Sequence, residues 1–246
     1  MVYIILVRGV MVMNCCNIIK EELNRYSENE MIFASKLYKE KLYKKKVTET
    51  SFYKVLERMC LSNELSKLSK GVYYYPKKSK FGITPISDEE IISRYIEKNN
   101  GMIIGYHLFN KLNLTTQVSK KITLYSTNVE SETKNIRNIE IKNISLKIND
   151  EYKKIIEMLE VLQSFNKIQD LNYNAFYEYA RNFSKEYNED ILKKVLVEKK
   201  YKKSTISFLR NILNYFEIRN ELDKYLSSLS KYNHIDMEEV YESSRK

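Results

Sequence analysis

The stretch FYKVLERMCLSNELSKLSKGVYYYPKKSKFG (Phe52–Gly82) decides how the first third of this chain is read. Phe52, Val55, Leu56 and Met59 recur at i, i+3, i+4 and i+7, which gathers them on one face of an α-helix. Ser51, Lys54 and Arg58 fall largely on the other face. Just upstream, Thr48-Glu49-Thr50-Ser51 is a helix-start signal in which Thr48 or Thr50 can accept from the exposed first-turn amides. Leu65 and Leu68 lead into Ser69-Lys70-Gly71, a turn, and Val72-Tyr73-Tyr74-Tyr75 predicts a strand that ends at Pro76.

Working towards the N-terminus, Ile18, Ile19, Leu23 and Tyr26 have roughly helical spacing, Asn29-Glu30 breaks the pattern, and Ile32, Leu37 and Leu42 continue a second amphipathic segment. Three helices and then a short basic hairpin are the order of a winged helix-turn-helix, which is the module expected over residues 14–80. In such a module one helix reads bases in the major groove while contacts to phosphates hold the register. The reading helix carries Ser51, Lys54 and Arg58; Lys44, Lys45, Lys46, Lys70, Lys77, Lys78 and Lys80 are the candidate phosphate contacts.

Charge points the same way. The 246 residues hold 42 Lys and Arg against 32 Asp and Glu, a formal charge of +10. From Lys36 to Lys80 there are thirteen basic residues and four acidic ones (Glu40, Glu49, Glu57, Glu64), so this segment carries about nine of the ten net charges. Such a balance favours an anionic partner and says nothing of fold. Cys15, Cys16 and Cys60 form no C-x-x-C pair and no disulfide framework, so free thiols in a reducing cytoplasm are expected, and with only His107 and His234 no metal or other cofactor is expected. The apolar run Val2–Met13 is too short to span a bilayer and is interrupted by Arg8. It reads as an added strand or as the product of an upstream start, with the natural start at Met11 or Met13.

Past the wing, Lys77–Pro85 has the composition of a linker. Ser87-Asp88-Glu89-Glu90 starts a helix to about Lys98 with Ile91, Ile92, Tyr95 and Ile96 inward, and Asn99-Asn100-Gly101 stops it. A short helix over Gly105–Leu112, a strand over Ile122–Ser126 and a second over Arg137–Leu146, with Ile139, Ile141 and Ile144 on one face, complete a small mixed α/β domain over 81–149. Helices are expected over Asp150–Phe165, Tyr173–Glu186, Ile191–Tyr201 and Ser204–Leu229, giving a helical domain over 150–230 and a polar tail over 231–246. The fold class is α+β.

The segments Glu57-Arg58-Met59, Leu65–Pro76, Lys80-Phe81-Gly82 and Gly105–Val118 together resemble the antitoxins of abortive-infection (type IV) toxin–antitoxin systems, over about Asn17–Leu146. The resemblance implies a winged helix that binds the operon's own promoter and represses it, as a possible homodimer, and a following domain that counters a nucleotidyltransferase-like toxin. It implies no catalysis in the chain itself. By position, Ser51, Lys54 and Arg58 match the outward face of the family's recognition helix, and Lys67, Lys70 and Lys77 the surroundings of its wing. Gly105, Tyr106, Leu114, Thr115, Thr116 and Gln117 match the hallmark of its second domain. Where many relatives have a glycine before the wing, this chain has Ser62-Asn63-Glu64, in which Asn63 can take a left-handed turn. The Lys44-Lys45-Lys46 run is also a departure from the pattern.

Catalytic patterns are missing: there is no H-E-x-x-H, G-x-S-x-G or G-x-x-x-x-G-K-[ST], and His107 has no partner in sequence to activate it. Tyr73, Tyr74 and Tyr75 are read as wing support ahead of base stacking. Thr115-Thr116-Gln117 is read as a turn fixing the adjoining helix and strand. Two other functions fit the same pattern: an ordinary winged-helix regulator with a ligand-sensing or dimerisation domain, and an adaptor whose winged helix binds protein.

Overall fold

The computed structural model describes residues 15–80, 82–227 and 229–245, so the expectation for residues 1–13 lies outside the described residues. The architecture is α+β: helices and strands mix in the N-terminal region, and the chain from about residue 150 is largely helical. It clusters into two compact units that divide after Arg94.

The first unit opens with helix α1 over 15–23. Strand β1 (Met31–Phe33) runs directly into α2 (Ala34–Leu37), which continues through a π turn, Tyr38–Leu42, and a 3-10 turn, Tyr43–Lys45. Lys46, in the left-handed region at φ 57°, ends that run. Helix α3 (Glu49–Leu61) follows, then strands β2 (Ser66–Ser69) and β3 (Val72–Tyr74). The strands form an antiparallel sheet in the order β1-β3-β2, with Ile32 opposite Tyr73. Ile32 therefore belongs to a strand and not to the amphipathic helix that its spacing suggested, because pairing with a segment about forty residues away outweighs local periodicity. Ile19, Leu23, Ile32, Leu42, Phe52, Leu56 and Leu65 make the unit's core. Residues 77–85 are not a plain linker: β4 (Lys77–Ser79) and β5 (Gly82–Thr84) form a separate two-stranded hairpin.

Helix α4 (Asp88–Ile96) starts with a capping box. The Glu90 amide donates to Ser87 Oγ at 3.2 Å, and the Ser87 amide donates to Glu90 Oε2 at 2.9 Å. Lys98 and Asn99, both at positive φ, then turn the chain.

In the second unit, β6 (Gly101–Ile104), β7 (Ile122–Ser126), β8 (Thr133–Ile136) and β9 (Ile139–Asn143) form a sheet in the order β6-β7-β9-β8. Strands β7 and β9 are parallel and the two edges antiparallel. Between β6 and β7 lies α5 (Tyr106–Lys111). Strand β7 has its expected bounds; Ile139, Ile141 and Ile144 are all buried, but of the three only Ile144, just past β9, joins the core shared with the helices.

Helices α6 (Asp150–Ser164), α7 (Tyr173–Lys185), α8 (Glu189–Glu198) and α9 (Lys203–Tyr215) follow the expected stripes. Three begin with an asparagine cap: Asn149 accepts from the Tyr152 amide, Asn172 from Ala175, and Asn188 from Asp190 and Ile191. Helix α9 stops at Tyr215, well short of the expected Leu229, because Phe216 leaves helical geometry and Glu217 turns left-handed. Residues 237–244, expected as part of a polar tail, form helix α10 (Met237–Ser244) and bury Met237 and Val240. One apolar core runs from Met102 on the sheet to Val240, so the sheet and the helices share an interior instead of forming separate domains.

Candidate nucleic-acid interface

Helix α3 spans thirteen residues and is held at both ends. Thr48 is its N-cap, accepting from the Ser51 amide at 3.3 Å, and Phe52, Val55, Leu56 and Met59 are the residues it buries. Its C-terminus closes on Asn63 at φ 56°, the left-handed position anticipated from sequence. There the amides of Glu64 and Leu65 both donate to the Met59 carbonyl. A helix fixed at both ends and packed along one side presents its other side as a rigid ridge. That ridge is Thr50, Lys54, Glu57 and Arg58, all exposed, with Leu61 80% exposed at its end.

Ser51 is not part of this ridge. It is half-buried, and its hydroxyl lies 2.8 Å from that of Thr48, so it completes the helix cap. Lys45 also has a structural partner. Its Nζ sits 2.6 Å from Glu22 Oε1, and Arg25 reaches the other oxygen at 3.1 Å. Glu22 is buried, and the bond from Lys45 holds its carboxyl below the usual range against the opposing effect of burial. Lys44 and Lys46 are exposed.

Strands β2 and β3 form a hairpin whose tip is Lys70-Gly71, with Gly71 at φ 74°. Lys67 and Lys70 are exposed on it. Tyr73 and Tyr74 are 7% and 5% exposed and so support the sheet; neither ring is open to a base. Lys77, Lys78 and Lys80 are exposed on the β4–β5 hairpin. Burial pushes the Cys60 thiol on α3 up, so it is no ready thiolate.

In the second unit, the residues of the Gly105–Gln117 motif reach a single partner segment, the loop between α6 and α7. Gly105 precedes α5 at φ 69° and ψ −150°, a conformation essentially confined to glycine. Tyr106 donates through its hydroxyl to the Lys167 carbonyl at 2.9 Å. The buried Thr115 hydroxyl donates to the Gln169 carbonyl at 2.6 Å and accepts from the Gln117 amide at 3.1 Å. Leu114, fully buried, accepts from the Asn172 amide at 2.8 Å, and the Gln117 side chain donates to Asp170. Of Gly105, Tyr106, Leu114, Thr115, Thr116 and Gln117, only Thr116 is exposed. The motif is thus a clip that ties the α5 end of the sheet layer to residues 167–172. The turn is legible in Thr115-Thr116-Gln117, whereas the loop it holds lies about fifty residues on and leaves no mark near it in sequence.

His107 Nδ1 is buried without a hydrogen-bond partner. His234 stacks on Phe208 with ring centroids 5.1 Å apart and accepts from or donates to the buried Ser207 hydroxyl at 3.1 Å. Among the described residues no group of three or more His, Cys, Asp or Glu could hold a metal ion, and no helix is long and apolar enough to cross a membrane.

Two units of α+β architecture, with a basic helix-and-hairpin unit first, define the class. The chain belongs to the family of unknown function DUF6088, whose model matches residues 18–202. No curated protein matches it. Among solved structures it is similar to the crystal structure of the RV2827C protein from Mycobacterium tuberculosis, at 10% identity and a TM-score of 0.34, over 76% of this chain and 72% of that one.

Proposed function

We propose that this protein is a DNA-binding antitoxin: its first unit is a winged helix-turn-helix that binds the promoter of its own operon and represses it, and its second unit counters a nucleotidyltransferase-like toxin. The observation that carries the DNA-binding half is the exposed ridge Thr50-Lys54-Glu57-Arg58 on a helix anchored at both ends. Support comes from the element order around it: helix, strand, two helices, then a hairpin that pairs back onto the first strand. Arg58 is suited to pair with guanine in the major groove, and Glu57 to accept from cytosine N4 while repelling phosphate. An acidic residue on that ridge favours base reading over simple charge attraction. Lys44, Lys46, Lys67 and Lys70 are then the phosphate contacts around it. The antitoxin half rests on the sequence resemblance, and the protein acts in the cytoplasm by binding, without cofactor or catalysis.

A gel shift with the DNA upstream of the gene tests the reading. Charge reversal at Lys54 and Arg58 is expected to abolish the retarded band while the far-ultraviolet circular dichroism stays unchanged. An unaltered band would sink the assignment of α3. Co-expression with a neighbouring nucleotidyltransferase-like gene separates antitoxin from ordinary regulator: growth is rescued only in the first case.

A further inference from the structure

Pro76 and Ile86 are both buried, Ile86 to 1%, yet every described residue between them is exposed. That excursion is the β4–β5 hairpin, paired Lys77 to Thr84, Lys78 to Ile83 and Ser79 to Gly82. Its base is fixed on both sides through one residue. The Asn29 amide donates to the Tyr75 carbonyl at 2.8 Å as the chain leaves the sheet. Asn29 Nδ2 donates to Glu90 Oε1 at 3.2 Å where the chain re-enters a helix. Glu90 is itself held in the α4 capping box.

A two-stranded ribbon that buries none of its strand residues gains little from its own packing and is marginal in water. Lysines on exposed strands can serve only to discourage edge pairing. That accounts for their presence but not for a rooted ribbon where a short linker would connect the same two anchors. Between Pro76 and Asp88 there are three lysines and no acidic residue. Lys78 and Ile83 share one face of the ribbon, so cation and apolar side chain stand together there. Two-stranded ribbons fit the major groove, and lysines on such a ribbon reach the phosphates along its walls.

We infer that the β4–β5 hairpin is a second arm that grips the phosphate backbone of duplex DNA separately from the α3 ridge. The inference rests on the DNA-binding reading above and adds a contact surface to it. Lys77, Lys78 and Lys80 supply three phosphate contacts, and Asn29 with Glu90 keeps the arm erect.

Fluorescence anisotropy of the full chain on a labelled duplex from upstream of its gene, across about 50 to 200 mM salt, tests it. Each neutralised phosphate contributes about 0.9 to the slope of log affinity against log salt, so Lys77→Ala/Lys78→Ala/Lys80→Ala is expected to lower that slope by about 2.7. Over a fourfold salt range the wild type then loses about 40-fold more affinity than the triple variant. Circular dichroism and a melting curve matched to wild type show that the variant is folded. Lys54→Ala/Arg58→Ala serves as comparator. If wild type binds, the comparator weakens and the triple variant keeps the wild-type slope, the arm is overturned and the α3 reading stands. Absence of salt-dependent binding by wild type overturns both.

Discussion

Replacing Thr115 by valine keeps its shape and removes its hydroxyl, which makes it the sharpest probe of the clip between the Gly105–Gln117 motif and the α6–α7 loop. Thr115 is 5% exposed, and its hydroxyl makes two bonds at once, donating to the Gln169 carbonyl and accepting from the Gln117 amide. Thr115→Val breaks both. The Gln169 carbonyl belongs to an exposed residue and regains water, whereas the half-buried Gln117 amide is left poorly satisfied. One hydrogen bond is worth about 0.5–1.5 kcal/mol, and an orphaned buried donor costs about 1–3 kcal/mol. With one of the two groups rescued by solvent, about 2 kcal/mol is expected. For a unit of about 150 residues that lowers the melting temperature by about 4–8 °C. Differential scanning calorimetry measures it directly, with Thr116→Val, whose side chain is exposed, as a control expected within about 0.5 kcal/mol of wild type. A Thr115→Val melting point no lower than that of the control would refute the clip.

Two further perturbations test the packing. A Cβ at position 101 would stand 2.1 Å from the Tyr125 carbonyl oxygen and 2.8 Å from that of Tyr95. Both are backbone atoms that cannot swing aside, so Gly101→Ala is expected to cost about 3 kcal/mol or more, read by chemical denaturation. In the first unit, the depressed Glu22 carboxyl adds stability above its ordinary value of 4.5, and that stability disappears as pH falls through the lower folded value. Glu22→Gln should therefore cost about 1 kcal/mol at neutral pH, since Lys45 and Arg25 are largely solvated, and nothing once the pH is well below 4. Parallel stability curves for the two proteins across the acid range would contradict the pairing.

The helices were legible because each buries a stripe that repeats along its own length. Phe52, Val55, Leu56 and Met59 needed no knowledge of what they pack against. The short strands were not. Met31–Phe33 and Gly101–Ile104 hold three and four residues, too few for alternation to show, and what makes them strands is a partner elsewhere: Val72–Tyr74 for one, Thr123–Ser126 for the other. Helix α10 was hidden for a similar reason, since only Met237 and Val240 mark its buried side within a polar stretch. The same division holds at the candidate interface. Lys54 and Arg58 were placed correctly on the outer face by helical geometry alone. Lys45 was grouped with the phosphate contacts because nothing near it in sequence indicates that Glu22, on another helix, claims its charge. Ser51 looked like a ridge residue because capping by Thr48, once it forms, also engages the hydroxyl three residues on.

The central claim is that the α3 ridge reads a DNA sequence, and a ratio of affinities measures it most directly. The full chain is titrated, at one fixed salt concentration, with the duplex from upstream of its own gene and with a shuffled duplex of equal composition. The account predicts a preference of at least about 10³ for the upstream duplex. It also predicts that Arg58→Ala lowers this preference by about 1–3 kcal/mol, roughly 5- to 150-fold, while leaving affinity for the shuffled duplex nearly intact. Equal affinity for the two duplexes would contradict it.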